Sequence, residues 1–184
     1  MKYRLLGKSG LRVSEASLGT MTFGDEWGWG SPKAEAQKVY EIYREAGGNF
    51  IDTANFYTNG TSERFLGEFI RGDRQSVVLA TKYSNAAPGN DPNAAGNHRK
   101  SMMQAVEASL KRLQTDYIDL YWVHIWDGSP PSKKSCAVWT ISFAKVRFST
   151  LASRTLPLGG SHRQILWRSF EAGHNSRGYR SSTT

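Results

Sequence analysis

The chain has 184 residues, 39% hydrophobic and 22% charged, the balance of one soluble globular domain with enough chain to bury a core. No apolar run reaches the roughly 18–20 residues that a membrane span needs, and the start "MKYRLLGKSG" lacks the apolar stretch of a signal peptide. The formal charge is +8, yet residues 1–128 hold 15 Lys and Arg against 15 Asp and Glu, so the whole excess lies in 129–184, where 9 bases meet the single acid Glu171.

In chain order, "KYRLL" and "LRVS" around the turn "GKSG" read as a small hairpin. "EASLGTMTF" (15–23) is a buried-type strand running into the loop "GDEWGWGS". Ser31-Pro32 then opens a helix, with Ser31 as N-cap and Pro32 in the first turn. Val39, Ile42, Tyr43 and Ala46 share its helical spacing, and Gly47-Gly48 stops it. The cycle repeats with strand "NFIDTA" and helix "SERFLGEFIRG", whose Phe65, Leu66, Phe69 and Ile70 share a face. The β-branched strand "SVVLATK", the long loop "YSNAAPGNDPNAAGN", the helix "HRKSMMQAVEASLKRLQ" and the strand "YIDLYWVH" follow.

Strand–helix alternation predicts parallel pairing through right-handed crossovers, and continuous apolar strands predict a sheet covered on both faces. Two architectures accept this pattern: an open doubly wound sheet and a closed eight-stranded (β/α) barrel. The loop after the first strand, "LGTMTFGDEWGWG", lacks the G-x-G-x-x-G spacing that would favour the open sheet. Polar residues stand instead at strand C-terminal ends: Asp52, Lys82 and His124. Chemistry gathers at that rim in barrels, so the expected class is α/β, a truncated (β/α)8 TIM barrel of about four βα units behind an N-terminal hairpin.

Taken singly, an Asp after a strand is most often a turn residue, a His there a structural hydrogen-bonder, and a Lys a solvated end. Gathered at one rim with Tyr57, they form a carbonyl-protonating set. A phenol titrates near pH ~10, too high for an efficient donor at neutrality, and a neighbouring ammonium stabilises its anion. A carboxylate can hold that ammonium while an imidazole orients the carbonyl oxygen. The hydride for carbon must come from a nicotinamide or flavin, because no side chain supplies one.

The segments "LRVSEASLGTMTFG", "GGNFIDTANFYTNGTSERFLGEFI", "VVLATKY" and "SLKRLQTDYIDLYWVHIWD" strongly resemble the aldo-keto reductases. The resemblance covers nearly all of residues 1–128 and implies a barrel that binds NADPH without a Rossmann motif and reduces aldehydes and ketones. It makes Tyr57 the general acid, Lys82 its partner, Asp52 the carboxylate that pairs with the lysine, and His124 the carbonyl-orienting residue. It sets Thr20, Met21 and Asp52 beside the cofactor, and leaves Trp27, Trp29 and Trp126 to shape an apolar pocket for a small carbonyl substrate, with packing of a lid the equal alternative for the two loop tryptophans Trp27 and Trp29. No metal is implied.

Beyond Gly128 the resemblance stops, although a barrel of this type needs ~250 residues or more. Read one base out of register, the codons available to "SKKSCAVWT" permit "IEEVMRGLD", and further on "GKVLYVGISD" and "LQIEYN", which resemble later segments of the family. Usually up to four amino acids are open at each shifted position, too few to choose some fifty family-like residues into existence. The chain is therefore expected to be a reductase half, 1–128, joined to an out-of-frame basic tail, 129–184, that forms no native domain. On this reading it is truncated and inactive, prone to non-specific self-association, and "AVWTISFAKVRF" in the tail is a candidate non-native edge strand. The alternative is a fragment that binds nucleic acid or another acidic partner through that tail. The lone cysteine, Cys136, rules out an internal disulfide and predicts a cytoplasmic location.

Overall fold

The computed structural model describes residues 1–7, 9–85 and 91–125, together with the backbone of 148–153. Strands β1 (Tyr3–Leu5) and β2 (Arg12–Ser14) pair antiparallel as the expected hairpin. Strands β3 (Leu18–Gly19), β4 (Phe50–Asp52), β5 (Val78–Tyr83), β6 (Ile118–Val123) and β7 (Phe148–Ser153) then form one sheet in sequence order, each parallel to the next. Helices α1 (Lys33–Glu45), α2 (Thr61–Phe69) and α3 (Arg99–Leu113) make the first three crossovers. Unbroken strand order in a parallel sheet is the winding of a barrel; a doubly wound sheet would reverse its order part-way.

The main core lies between the sheet and its helices. Ile51, Leu79, Tyr83, Tyr121 and Val123 point outward from the strands onto Tyr40, Leu66, Ile70, Met102, Val106 and Leu113. The opposite face of the sheet carries a smaller cluster, Ala80 and Leu120 with Leu6, Phe50 and Trp122 packed against them. Strand alternation produces this division: Ala80 lies opposite Leu120, and Lys82 opposite Trp122, on one face. Asp119 secures the register, since its Oδ2 accepts from the Leu79 amide at 2.9 Å and from Arg74 at 2.8 Å.

Helix α2 packs closely on the end of α3, where a Cβ on Gly67 would stand 2.6 Å from the Arg112 carbonyl oxygen. Glu63, fully buried on α2, accepts from Thr81 Oγ1 of β5 and from Arg112 Nε of α3, both at 2.6 Å. One carboxylate thus ties two helices and a strand together.

Three expectations are corrected. Ser31 is not the N-cap of α1: Pro32 takes that position with no side-chain cap, and the Ser31 backbone instead closes the preceding loop against Thr22 and Gly24. The helix buries Ala36 and Tyr40, whereas Val39 and Ile42 are 45% and 66% exposed. Helical spacing identifies a stripe, but the position of α2 beside α1 decides which stripe is covered. The long strand expected over 15–23 shortens to Leu18–Gly19, because the Phe23 amide turns back onto the Thr20 carbonyl.

Strand β7 is a fifth member of the sheet where about four were expected. It continues the parallel winding beside β6, and it overlaps the tract expected to add an edge strand only at Phe148. The rest of that tract lies outside the described residues.

Candidate active site

Parallel strands deliver their C-terminal ends to one rim, and three of the four singled-out residues stand there by register. Asp52 ends β4, Lys82 is the penultimate residue of β5, and His124 follows β6 with its amide bonded to the Tyr83 carbonyl at 2.8 Å. Tyr57 comes from the short 3-10 turn Tyr57–Gly60, which carries the chain from β4 into α2.

The Lys82 ammonium is the centre of the arrangement. Its Nζ donates to Asp52 Oδ2 at 2.5 Å, to the Thr53 carbonyl at 2.7 Å and to the Tyr57 hydroxyl oxygen at 3.1 Å. An ammonium has three N–H donors, so these three acceptors use its capacity and fix its direction. The lysine side chain is only 13% exposed, which strengthens each contact relative to water. Because the phenol oxygen already accepts from lysine, its own proton is directed elsewhere. The His124 ring stands edge-on to the Tyr57 ring, with centroids 5.7 Å apart and an interplanar angle of 85°. The group can therefore hold a carbonyl oxygen near phenol and imidazole, release the phenolic proton, and stabilise the resulting anion with the ammonium.

Beside this centre lies an aromatic wall. Trp27 stacks obliquely on Trp29 at 5.5 Å and on Phe56 at 5.7 Å. Trp29 is half exposed, as is Met21 at 45%. Thr20 differs from its neighbour: it is fully buried, and its hydroxyl pairs with Ser62 Oγ at 2.8 Å and with the Asp52 carbonyl at 3.2 Å. Its side chain braces the strand end, leaving Met21 as the member of that pair with a surface to offer. Trp126, and the basic tract after Gly128 apart from the backbone of β7, lie outside the described residues.

Several contributors escape sequence reasoning. Phe56 directly precedes Tyr57, and that adjacency is the signal that would have revealed it. Thr53 meets Lys82 only through its backbone carbonyl oxygen, which any residue could supply. Ser62 bridges the hydroxyls of Thr20 and Thr53 at 2.8 and 2.9 Å, and no pattern of small hydroxyl residues announces such a knot. Among the described residues, no group of three or more His, Cys, Asp or Glu could hold a metal, and no helix is long and apolar enough to cross a membrane.

A family model for the aldo/keto reductases matches residues 16–147. The chain belongs to the aldo/keto reductase family. Norsolorinic acid reductase stcV of Emericella nidulans is 49% identical over 131 residues, a match covering 66% of this chain and 34% of that protein. The aryl-alcohol dehydrogenase [NADP(+)] of Phanerodontia chrysosporium is 46% identical over 132 residues, covering 64% and 34%. Among solved structures, the holo form of aldo-keto reductase AKR11C1 from Bacillus halodurans superposes with a TM-score of 0.70 at 32% identity. That superposition covers 83% of this chain and 50% of the other. The chain thus spans about a third of the length of the two curated relatives and half of the solved structure.

Proposed function

We propose that residues 1–128 carry the proton-donating side of an NADP(H)-dependent carbonyl reductase site, and that the chain as it stands does not turn over. The observation that carries this reading is the Lys82 ammonium held between Asp52 Oδ2 and the Tyr57 hydroxyl. In this reading Tyr57 gives its proton to the carbonyl oxygen, Lys82 stabilises the phenolate left behind, Asp52 holds the ammonium in place, and His124 orients the oxygen. The donor set fits a nicotinamide: these residues complete only the proton half of a carbonyl reduction, and Met21 offers an exposed surface at the same rim. Met21 and Asp52 would hold its nicotinamide end, and the bound cofactor would supply the hydride. Trp27, Trp29 and Phe56 favour a flat aromatic aldehyde or ketone, in keeping with the names of the two curated relatives. The lone Cys136 accords with work in the cytoplasm, where thiols stay reduced.

Inactivity follows from the tail. Residues 129–184 are read as the out-of-frame translation of the segments that would complete the barrel, so the remaining cofactor contacts are missing. The test compares the full chain with a version whose second half is restored by a one-base change in the coding DNA near Ser129-Pro130. With NADPH and an aromatic aldehyde, the chain is expected to leave NADPH absorbance unchanged and the restored version to consume it. Tyr57→Phe in the restored version should lower kcat by about 10²–10⁴-fold with little change in KM. Turnover by the chain as given, or an active Tyr57→Phe variant, would overturn the proposal.

A further inference from the structure

Immediately after Tyr57 the backbone is left-handed at three successive residues: Thr58 (φ 45°, ψ 46°), Asn59 (φ 54°, ψ 34°) and Gly60 (φ 85°). Asn and Gly adopt this conformation routinely, but a β-branched residue rarely does. Such strain persists only where the surroundings hold it. Here they do. Thr58 is fully buried, its Oγ1 donates to the Phe23 carbonyl at 2.6 Å, and the same oxygen accepts from the Ser62 amide at 3.1 Å. Close by, a Cβ placed on Gly24 would stand 2.9 Å from both Cβ and Oγ1 of Thr58, so the aromatic loop rests directly on this side chain.

We infer that Thr58 is a positioning residue for the proton donor: its buried hydroxyl fastens the strained turn behind Tyr57 to the backbone at Phe23 and Ser62, and so sets the phenol against Lys82 and His124. The inference rests on the role of Tyr57 proposed above. A turn that only had to join β4 to α2 could place Asn or Gly at position 58 without strain. The hydroxyl has one further consequence. It locks the loop bearing Trp27 and Trp29 to the same turn that carries Phe56 and Tyr57, so the aromatic wall and the phenol keep one spacing.

The edge-on contact between Tyr57 and His124 provides a readout that needs no turnover. In the full chain with labelled histidine, the ring-current shift of His124 Cε1–H is measured by NMR, the reference for its loss being Tyr57→Leu. Thr58→Ser, which keeps the hydroxyl, is expected to leave the His124 resonance where it is. Thr58→Ala, which removes the hydroxyl, is expected to move it toward the Tyr57→Leu position while far-UV circular dichroism stays unchanged. A His124 resonance unmoved in a folded Thr58→Ala, or displaced in Thr58→Ser, overturns the inference. Should Thr58→Ala not fold, the hydroxyl is a requirement of the fold as a whole and the positioning role is likewise overturned. Failure of the reductase reading shows separately, as absent turnover in the restored protein with the His124 signal intact.

Discussion

Replacing Arg112 with Met tests the principal tie of this half-barrel. Glu63 has no exposed side-chain surface, and its two oxygens are occupied by Thr81 and by the Arg112 guanidinium. Arg112→Met keeps most of the aliphatic stem that rests against Gly60 and removes the guanidinium, with its charge and its hydrogen bonds to Glu63 and Ser109. The carboxylate is then buried without its counter-ion, and breaking such a pair costs about 3–5 kcal/mol. Arg112 is itself 25% exposed, so water relieves part of that penalty and the low end, about 3 kcal/mol, is expected. That is a large share of the roughly 5–15 kcal/mol that holds an ordinary domain together, and corresponds to a melting shift of roughly 10 °C. Urea unfolding followed by circular dichroism should show a lower midpoint with an unchanged slope. The double variant Arg112→Met/Glu63→Gln removes the stranded charge while keeping an amide to bond Thr81, and should recover about half of the loss or more. A single-variant cost below about 1 kcal/mol, or a double variant worse than the sum of its parts, would refute the assignment of Glu63 as a buried charge held by Arg112.

Burial and the Asp73 carboxylate push the Tyr40 phenol above its ordinary range, and burial, aided by Glu63, does the same to Tyr121. Their contribution to stability is fully present below the unfolded phenol value of about 10 and is lost as pH rises through the folded values, because the unfolded chain then binds fewer protons. Stability should fall with alkali, and Tyr40→Phe should flatten that limb in pH-dependent urea titrations; an equally steep limb would remove Tyr40 from the account. Gly67→Ala would thrust a methyl against the backbone of Arg112 and Leu113 and should cost about 1–3 kcal/mol by the same assay, whereas a neutral result would mean that α2 and α3 can separate there. Ile42→Lys, on the exposed stripe of α1, should change stability by no more than about 0.5 kcal/mol; a loss above about 2 kcal/mol would show that this stripe is covered in solution.

What the sequence determined by itself is the alternation of apolar strands with amphipathic helices, and hence a parallel sheet with Asp52, Lys82 and His124 at one rim. Those features are legible because strand period and strand ends are local properties of the chain. The abrupt change of charge after Gly128 is equally a property of the string of residues. Tertiary structure decided the rest, since each remaining feature depends on residues far apart in the chain. Pairing Asp52 with Ala80, and Lys82 with Trp122, brings carboxylate, ammonium and phenol into contact; a shift of one residue would turn Lys82 to the helix side. Which stripe of α1 is buried was settled by α2, and the strained Thr58 by the carbonyl of Phe23, 35 positions earlier. The covered stripe, the bonded hydroxyl and the buried carboxylate all owe their state to the neighbour that removes water from them, and local pattern does not name that neighbour.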